Sequence, residues 1–237
     1  FTLYYWITSE QTNAYITGSV GIFRNKEIWR AFGNSLLISI ICALIAGTFG
    51  ILVGYGVAKK RGSRLANYVS NLAFLPYLIP AMSFATIYLI MSYTKALSFL
   101  NGSLLLLIVV GSIKFLPFAS KSGTNAMLQL SNEIEEAAII VGVPWWKRMV
   151  RVLFPIQKSS FISGYLLPFV SCMRELTLFV LLTGSSTILT AVLQNYEKYD
   201  CVQISNGINL IIIVSVLVIN LVVNKLTGAS IDKGVGG

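Results

Sequence analysis

Two sets of residues in this chain could do chemistry, and the first is charge placed where charge is costly. Arg174 and Glu175 stand in the middle of an otherwise apolar run from about Phe161 to Leu182, and Lys114 lies near the end of another that starts at about Ser103. A charge at the centre of a bilayer costs about 2.5–3.5 kcal/mol on insertion scales. Neighbours on a helix point about 100° apart, so Arg174 and Glu175 cannot easily pair with each other. Each needs a partner on another helix or a water-filled path. Either they line or gate a route across the membrane, or they tie helices together in a buried network that takes in Lys114. Pro76 and Pro80 pose a related choice inside the uncharged run 65–94. Proline removes a backbone donor, and lipid cannot satisfy the carbonyl it frees. The run is a broken helix beside a pathway or a kinked packing helix.

The second set lies in the longest polar interval, 119–159, where Ser131 to Gln157 reads SNEIEEAAIIVGVPWWKRMVRVLFPIQ. Ser131 or Asn132 can cap a helix start, and Asn132-x-x-Glu135 has capping-box form. Glu133, Glu135 and Glu136 fill the first turn, where the helix dipole favours anions. Ala137 to Val141 continues the helix with small and apolar residues, and Gly142 is placed to end it in a left-handed conformation. Pro144 can begin a second helix, which Pro155 ends. That helix carries Trp145, Trp146, Lys147, Arg148 and Arg151, an interfacial composition in which the tryptophans serve as membrane anchors or as partner contacts. The first helix offers a short apolar face with a collar of acids, which suits docking into a groove on another protein.

Several chemistries are excluded. There is no His, the commonest metal ligand and general base. The three cysteines, Cys42, Cys172 and Cys201, have neither disulfide-framework nor metal spacing. No G-x-x-x-x-G-K-[ST] phosphate loop occurs, so the chain cannot itself hydrolyse ATP through one. The net charge of +9 does not mark a nucleic-acid binder, because the basic residues punctuate apolar runs instead of forming one patch.

The elements that must position these residues are membrane helices. Of 237 residues, 55% are apolar and only 11% charged, against roughly 25% charged in an average soluble domain. An ordinary soluble enzyme, a disordered chain and a coiled coil are all excluded. Spans are predicted at about 35–58, 70–93, 103–118, 161–182 and 208–224, each near the roughly 20 residues a bilayer requires. Gly50-xxx-Gly54 in the first is a small-xxx-small pattern that admits a second helix closely, or reflects the general abundance of Gly in membrane helices. The loops richest in Lys and Arg are 59–64 and 119–159, so positive-inside places them in the cytoplasm. Residues 1–33 become an external polar or interfacial segment, although Arg24, Lys26 and Arg30 weigh against that. Residues 227–237 form a cytoplasmic tail. The expected fold is all-α and polytopic, with a permease domain at 34–226 and a cytoplasmic helix-turn-helix loop at 131–157.

That loop carries a resemblance. Glu136-Ala137-Ala138, then Gly142, then nine residues, then Val152-Leu153-Phe154-Pro155 resembles the EAA loop of membrane subunits of bacterial ATP-binding-cassette importers. Val152 stands where that pattern has Ile, and Phe154 where it has Leu. Lys114-Phe115-Leu116-Pro117 and Arg174-Glu175-Leu176 are similar to the ferric-iron, polyamine and thiamine branch. The resemblance implies the five-helix type I permease core over about 34–226, in the bacterial cytoplasmic (inner) membrane. It implies two ATPase subunits as partners, a second permease core, a substrate-binding protein outside and lipid around. The start at Phe1 suits the second half of a fused permease. Residues Glu135, Glu136, Ala137, Ala138, Gly142 and Pro155 would couple to the ATPase. Arg174, Glu175, Pro76, Pro80 and Lys114 would belong to the pathway or its gate. The chain would be no enzyme and would hold no cofactor or metal, ATP being bound by the partner. Its cargo would be ferric iron or another small solute. The competing expectation is a secondary transporter or channel without an ATPase, which would not need a docking helix; a membrane scaffold would leave the buried charge unexplained.

Overall fold

In the computed structural model, residues 21–183 and 187–229 are described. Residues 1–20 of the N-terminal segment, 184–186, and 230–237 of the tail lie outside them. The described residues form helices and no strand. In chain order these are α1 (Lys26–Lys59), α2 (Arg64–Leu78), α3 (Ala81–Ser92), α4 (Leu104–Leu128), α5 (Asn132–Ile140), α6 (Trp145–Arg148), α7 (Phe154–Ile156), α8 (Lys158–Met173), α9 (Thr177–Thr183), α10 (Leu189–Lys198) and α11 (Val202–Thr227). A π-helical stretch, Met149–Leu153, joins α6 to α7. By length and apolarity α1, α4 and α11 can each cross a bilayer, and the interrupted pairs α2 with α3 and α8 with α9 pass together, making up to five spans.

The helices overrun the predicted spans, for local reasons. The first begins at Lys26, inside the expected polar segment, because Asn25 caps it: Asn25 Oδ1 accepts from the Glu27 amide at 2.9 Å. The third continues past Phe118 to Leu128. Small residues on that extension meet α1 closely enough to bury it.

The chain folds as two compact units. The first holds 21–41, 80–111 and 170–218. Its core packs Ile22, Ile28 and Ala31 against Leu189, Val192 and Tyr196 of α10 and Ile204 and Ile208 of α11. Asn25 Nδ2 donates to the Tyr196 hydroxyl at 2.7 Å, and the Leu189 amide donates to Ser35 Oγ at 2.9 Å. Helix α3 packs on α9.

The second unit holds 42–79, 112–169 and 219–229. Its core joins Ile51, Ala126, Met127, Met149, Leu153 and Phe161. Of the two readings of the glycines, close approach is the one realised. A Cβ on Gly50 would stand 2.7 Å from the Ser120 amide nitrogen, and one on Gly54 would stand 2.5 Å from that of Thr124. Backbone therefore meets backbone between α1 and α4, as small-residue stripes allow in membranes. Gly56, two residues further along α1, has nothing within 4 Å of such a Cβ.

Gly50→Ala and Gly54→Ala are each expected to lower the apparent melting temperature of the detergent-solubilised chain, at a cost of about 1–3 kcal/mol from overpacking. Gly56→Ala is the matched control and should leave it unchanged or raised. Equal behaviour of all three would refute the close packing.

Candidate functional site

The loop 131–157 lies wholly within the second unit and folds as helix, turn, helix. Ser131 is the N-cap of α5, its Oγ accepting from the Glu133 amide at 3.3 Å. The capping box predicted at Asn132 does not form, because Glu135 turns inward. Gly142 has φ of +79°, and the bonds from Gly142 N–H to Ile139 O (2.8 Å) and Val143 N–H to Ala138 O (3.0 Å) complete a Schellman end. Pro155 does not end the second helix. The chain passes through it into Ile156 and breaks at Gln157, with the π-helical stretch immediately before it. A missing proline N–H leaves the preceding turn to rearrange its bonds, and a π-bulge is one way of doing so.

Glu135 and Glu136 separate on opposite sides of this geometry. Glu136 is exposed, with Ala137 beside it and Ile139, Ile140 and Val141 forming an apolar ridge; Ile140 is 85% exposed and Val141 79%. Glu135 is buried. Its Oε1 accepts from the Tyr55 hydroxyl at 2.6 Å, and its Oε2 lies 2.6 Å from Lys59 Nζ. Arg148 Nε stands 3.7 Å away, and the same guanidinium donates to Val143 O in the turn at 2.9 Å. Burial acts to raise the Glu135 pKa, but the hydrogen bonds from Lys59 and Tyr55 and the nearby Arg148 outweigh it and hold the carboxyl below its ordinary value. The stability this contributes is present above the usual glutamate range, about 4.3, and is lost as pH falls through the depressed value. Trp145 is half-buried against the Tyr55 ring, centroids 6.0 Å apart, whereas Trp146 is exposed. No local pattern announced the Glu135 cluster, since Tyr55 and Lys59 lie about eighty residues earlier; the one legible hint was Tyr55 and Lys59 at i, i+4 on a single helix face.

The intramembrane charges do not pair with one another. Lys114 Nζ donates to the carbonyls of Pro76 (2.8 Å) and Ile79 (2.5 Å). In an unbroken helix the Pro76 carbonyl would accept from residue 80, and Pro80 has no N–H to give. Lys114 supplies the missing donor, at a helix C-terminus where a cation is also favoured by the dipole. Pro76, Pro80 and Lys114 therefore belong to one device, a broken and re-satisfied helix end. In the first unit, the chain breaks between α8 and α9 at Arg174. Glu175 Oε1 accepts from the Leu178 amide at 2.9 Å and so caps α9, while its backbone carbonyl accepts from Thr190 Oγ1 at 2.9 Å. Arg174 is exposed and, among the described residues, its side chain makes no hydrogen bond or ion pair. It lines a cavity of about 510 Å³ with Thr190 and Asn209 as polar neighbours and Leu176, Ile212 and Leu217 as apolar ones.

Lys114→Met is expected to destabilise the solubilised chain by about 1–3 kcal/mol, the cost of part-buried carbonyls left without their donor. Lys114→Arg should restore most of it. Thermal unfolding of both variants checks this, and unaltered stability of Lys114→Met would show that the carbonyls find another donor.

The model of the family described as binding-protein-dependent transport system inner membrane component matches residues 46–231. The ferric transport system permease protein FbpB of Actinobacillus pleuropneumoniae is 22% identical over 84% of this chain, and the chain spans only 29% of that relative. A probable sulfate transport system permease protein, cysT of Prototheca wickerhamii, is 26% identical over 81% of this chain and 80% of its own length. A phosphate transport system permease protein, PstA 1 of Mycobacterium tuberculosis, is 26% identical over 67% of this chain and 52% of its own length. Among solved structures, the fold is shared with a chain of the MetNI methionine ABC transporter in inward facing conformations: TM-score 0.61, 16% identity, 85% of this chain and 97% of that one. It is shared as well with a chain of a bacterial ABC transporter involved in the import of the acidic polysaccharide alginate: TM-score 0.64, 18% identity, 90% and 85%. With apolar helices able to cross a bilayer and the family match covering most of its length, this chain belongs to the binding-protein-dependent transport system inner membrane components.

Proposed function

We propose that the chain is a permease subunit of an ATP-binding-cassette importer in a bacterial inner membrane, crossing it five times. In this reading α5 and its turn are the coupling helix, seated in a cleft of an ATPase subunit on the cytoplasmic side. The observation that carries it is the ridge Ile139, Ile140 and Val141 at the tip of a capped helix, where Ile140 and Val141 are the most exposed large apolar side chains of the loop. An exposed apolar patch of that kind marks a contact surface. Glu136 on the rim adds a charge available to a basic partner group. A secondary transporter or channel has no use for such a surface. Two ATPase subunits would supply hydrolysis, a second permease core would complete the pathway, and a binding protein would deliver cargo from outside; the family description supports the last of these.

Arg174 is the pathway residue in this reading, since an intramembrane cation with no partner among the described residues is affordable only beside water or cargo. Glu175 serves the pathway indirectly by capping α9. Lys114, Pro76 and Pro80 shape the broken helix without facing cargo. The cargo is a small solute. Ferric iron is one candidate, and the sulfate and phosphate permeases match this chain as well as the ferric one does.

Ile140→Asp, Glu136→Lys and Gly142→Val are each expected to cut co-purification of the ATPase subunit by about ten-fold or more while the chain stays in the membrane. The third acts through the turn, because a β-branched residue at positive φ is strained. Full retention of the ATPase by all three would sink the docking assignment. Arg174→Gln should reduce uptake in cells assayed with ferric iron, sulfate and phosphate, without loss of assembly; unchanged uptake would remove Arg174 from the pathway.

A further inference from the structure

The docking loop is joined covalently to α4 before it and, through α6 and α7, to α8 after it. Nothing covalent links it to α1, whose end lies 76 residues away from Glu135 in the chain. Yet Glu135 reaches α1 through two of its side chains at once. Tyr55 and Lys59 stand one turn apart on the same face, and the carboxylate takes one on each oxygen, at 2.6 Å and 2.6 Å. Lys59 also donates to Asn132 Oδ1 in the first turn of α5, at 3.2 Å. Arg148 closes the cluster from the following helix while holding the turn carbonyl of Val143. The Glu135 side chain is only 4% exposed. Removing the carboxylate would leave Arg148, and the partly exposed Lys59, facing the vacated site with no counter-charge. An ordinary solvated acid in a first turn needs none of this, and Glu136, its neighbour, has none of it.

We propose that Glu135 is a positioning residue: together with Tyr55, Lys59 and Arg148 it forms a buried joint that fixes the docking helix α5 to the end of α1. Movement imposed on the loop then reaches α1 directly, as well as α4 and α8 through the chain. Apolar contacts alone would let the two helices slide, whereas a carboxylate hydrogen-bonded by Tyr55 on one oxygen and ion-paired with Lys59 on the other favours one arrangement. The inference rests on the docking reading given under Proposed function, and the experiment separates the two.

The test uses the permease assembled with its ATPase subunits. A single cysteine is introduced at Gly56→Cys on α1, where a side chain meets nothing within 4 Å, or at Lys158→Cys at the start of α8. Maleimide labelling rates are measured without nucleotide and with ATP plus vanadate. With the joint intact, nucleotide should change the rate at both positions. Glu135→Gln and Lys59→Met should each shrink the change at position 56 by about five-fold or more, leaving that at 158 intact. The two together should do no more than either alone, and Glu135→Asp should recover part of the response. A response at 56 that survives both substitutions would overturn the joint while leaving docking untouched. Loss at 56 and 158 together would overturn it too, by showing that the cluster merely keeps the docking surface folded. A wild-type complex with no response at 158 would overturn the docking reading and the joint with it.

Discussion

Hydrocarbon offers no hydrogen-bond partner to a carbonyl or an amide, and this constraint explains where the charged side chains of the chain are used. Each helix break exposes backbone groups that must be satisfied from within. At the break after α2, the proline that creates the orphan carbonyl is answered by Lys114. At the break before α9, the first-turn amide of Leu178 is answered by Glu175. Opposite charges that look in sequence like members of one ionic network are instead distributed to helix ends, where their formal charge matches the end of the helix dipole they meet. Arg174 is the exception: among the described residues its side chain has no partner, and it lines a cavity instead.

The loop 131–157 obeys a related rule with a different outcome. Outside the bilayer a carboxylate can be left in water, as Glu136 is. Glu135 is buried, so it is supplied with a lysine, a tyrosine hydroxyl and a neighbouring arginine. The loop thereby presents two faces with different duties. The inner face is tied by charge to the second unit's own helices. The outer face, with Ile139, Ile140 and Val141, is apolar and exposed among the described residues. A rigid surface loses less entropy on docking than a mobile one, which favours a ridge fixed from behind.

Much of the loop was legible residue by residue. Gly142 had to adopt positive φ because nothing else in the segment could end the helix as cheaply, and it does. Ser131 could be recognised as a cap. The failures have physical causes of the same kind. Asn132-x-x-Glu135 has the spacing of a capping box, but the acid finds a stronger partner in Lys59 than in a backbone amide. Pro155 has the character of a helix breaker, but a π-helical stretch absorbs its missing donor and the chain continues for another residue. Span ends were drawn short because hydropathy stops at the first charge, whereas a helix stops where its backbone ceases to be satisfied. Asn25 therefore sets the start of α1, ahead of the apolar run.

Composition and periodicity alone determined that the chain is a helical membrane protein with several apolar helices long enough to cross a bilayer, and that one loop holds a helix, a glycine turn and a second helix. These follow from short-range quantities: apolar run length, charge spacing and the conformational demands of Gly and Pro. Only the tertiary structure decided what each isolated charge does. Whether Lys114 meets an anion or a carbonyl, whether Glu135 faces a partner protein or Tyr55 and Lys59, and whether Gly50 and Gly54 touch a backbone all depend on contacts made dozens of residues apart. An electrostatic or steric energy is fixed by distance in space, and distance along the chain says little about it.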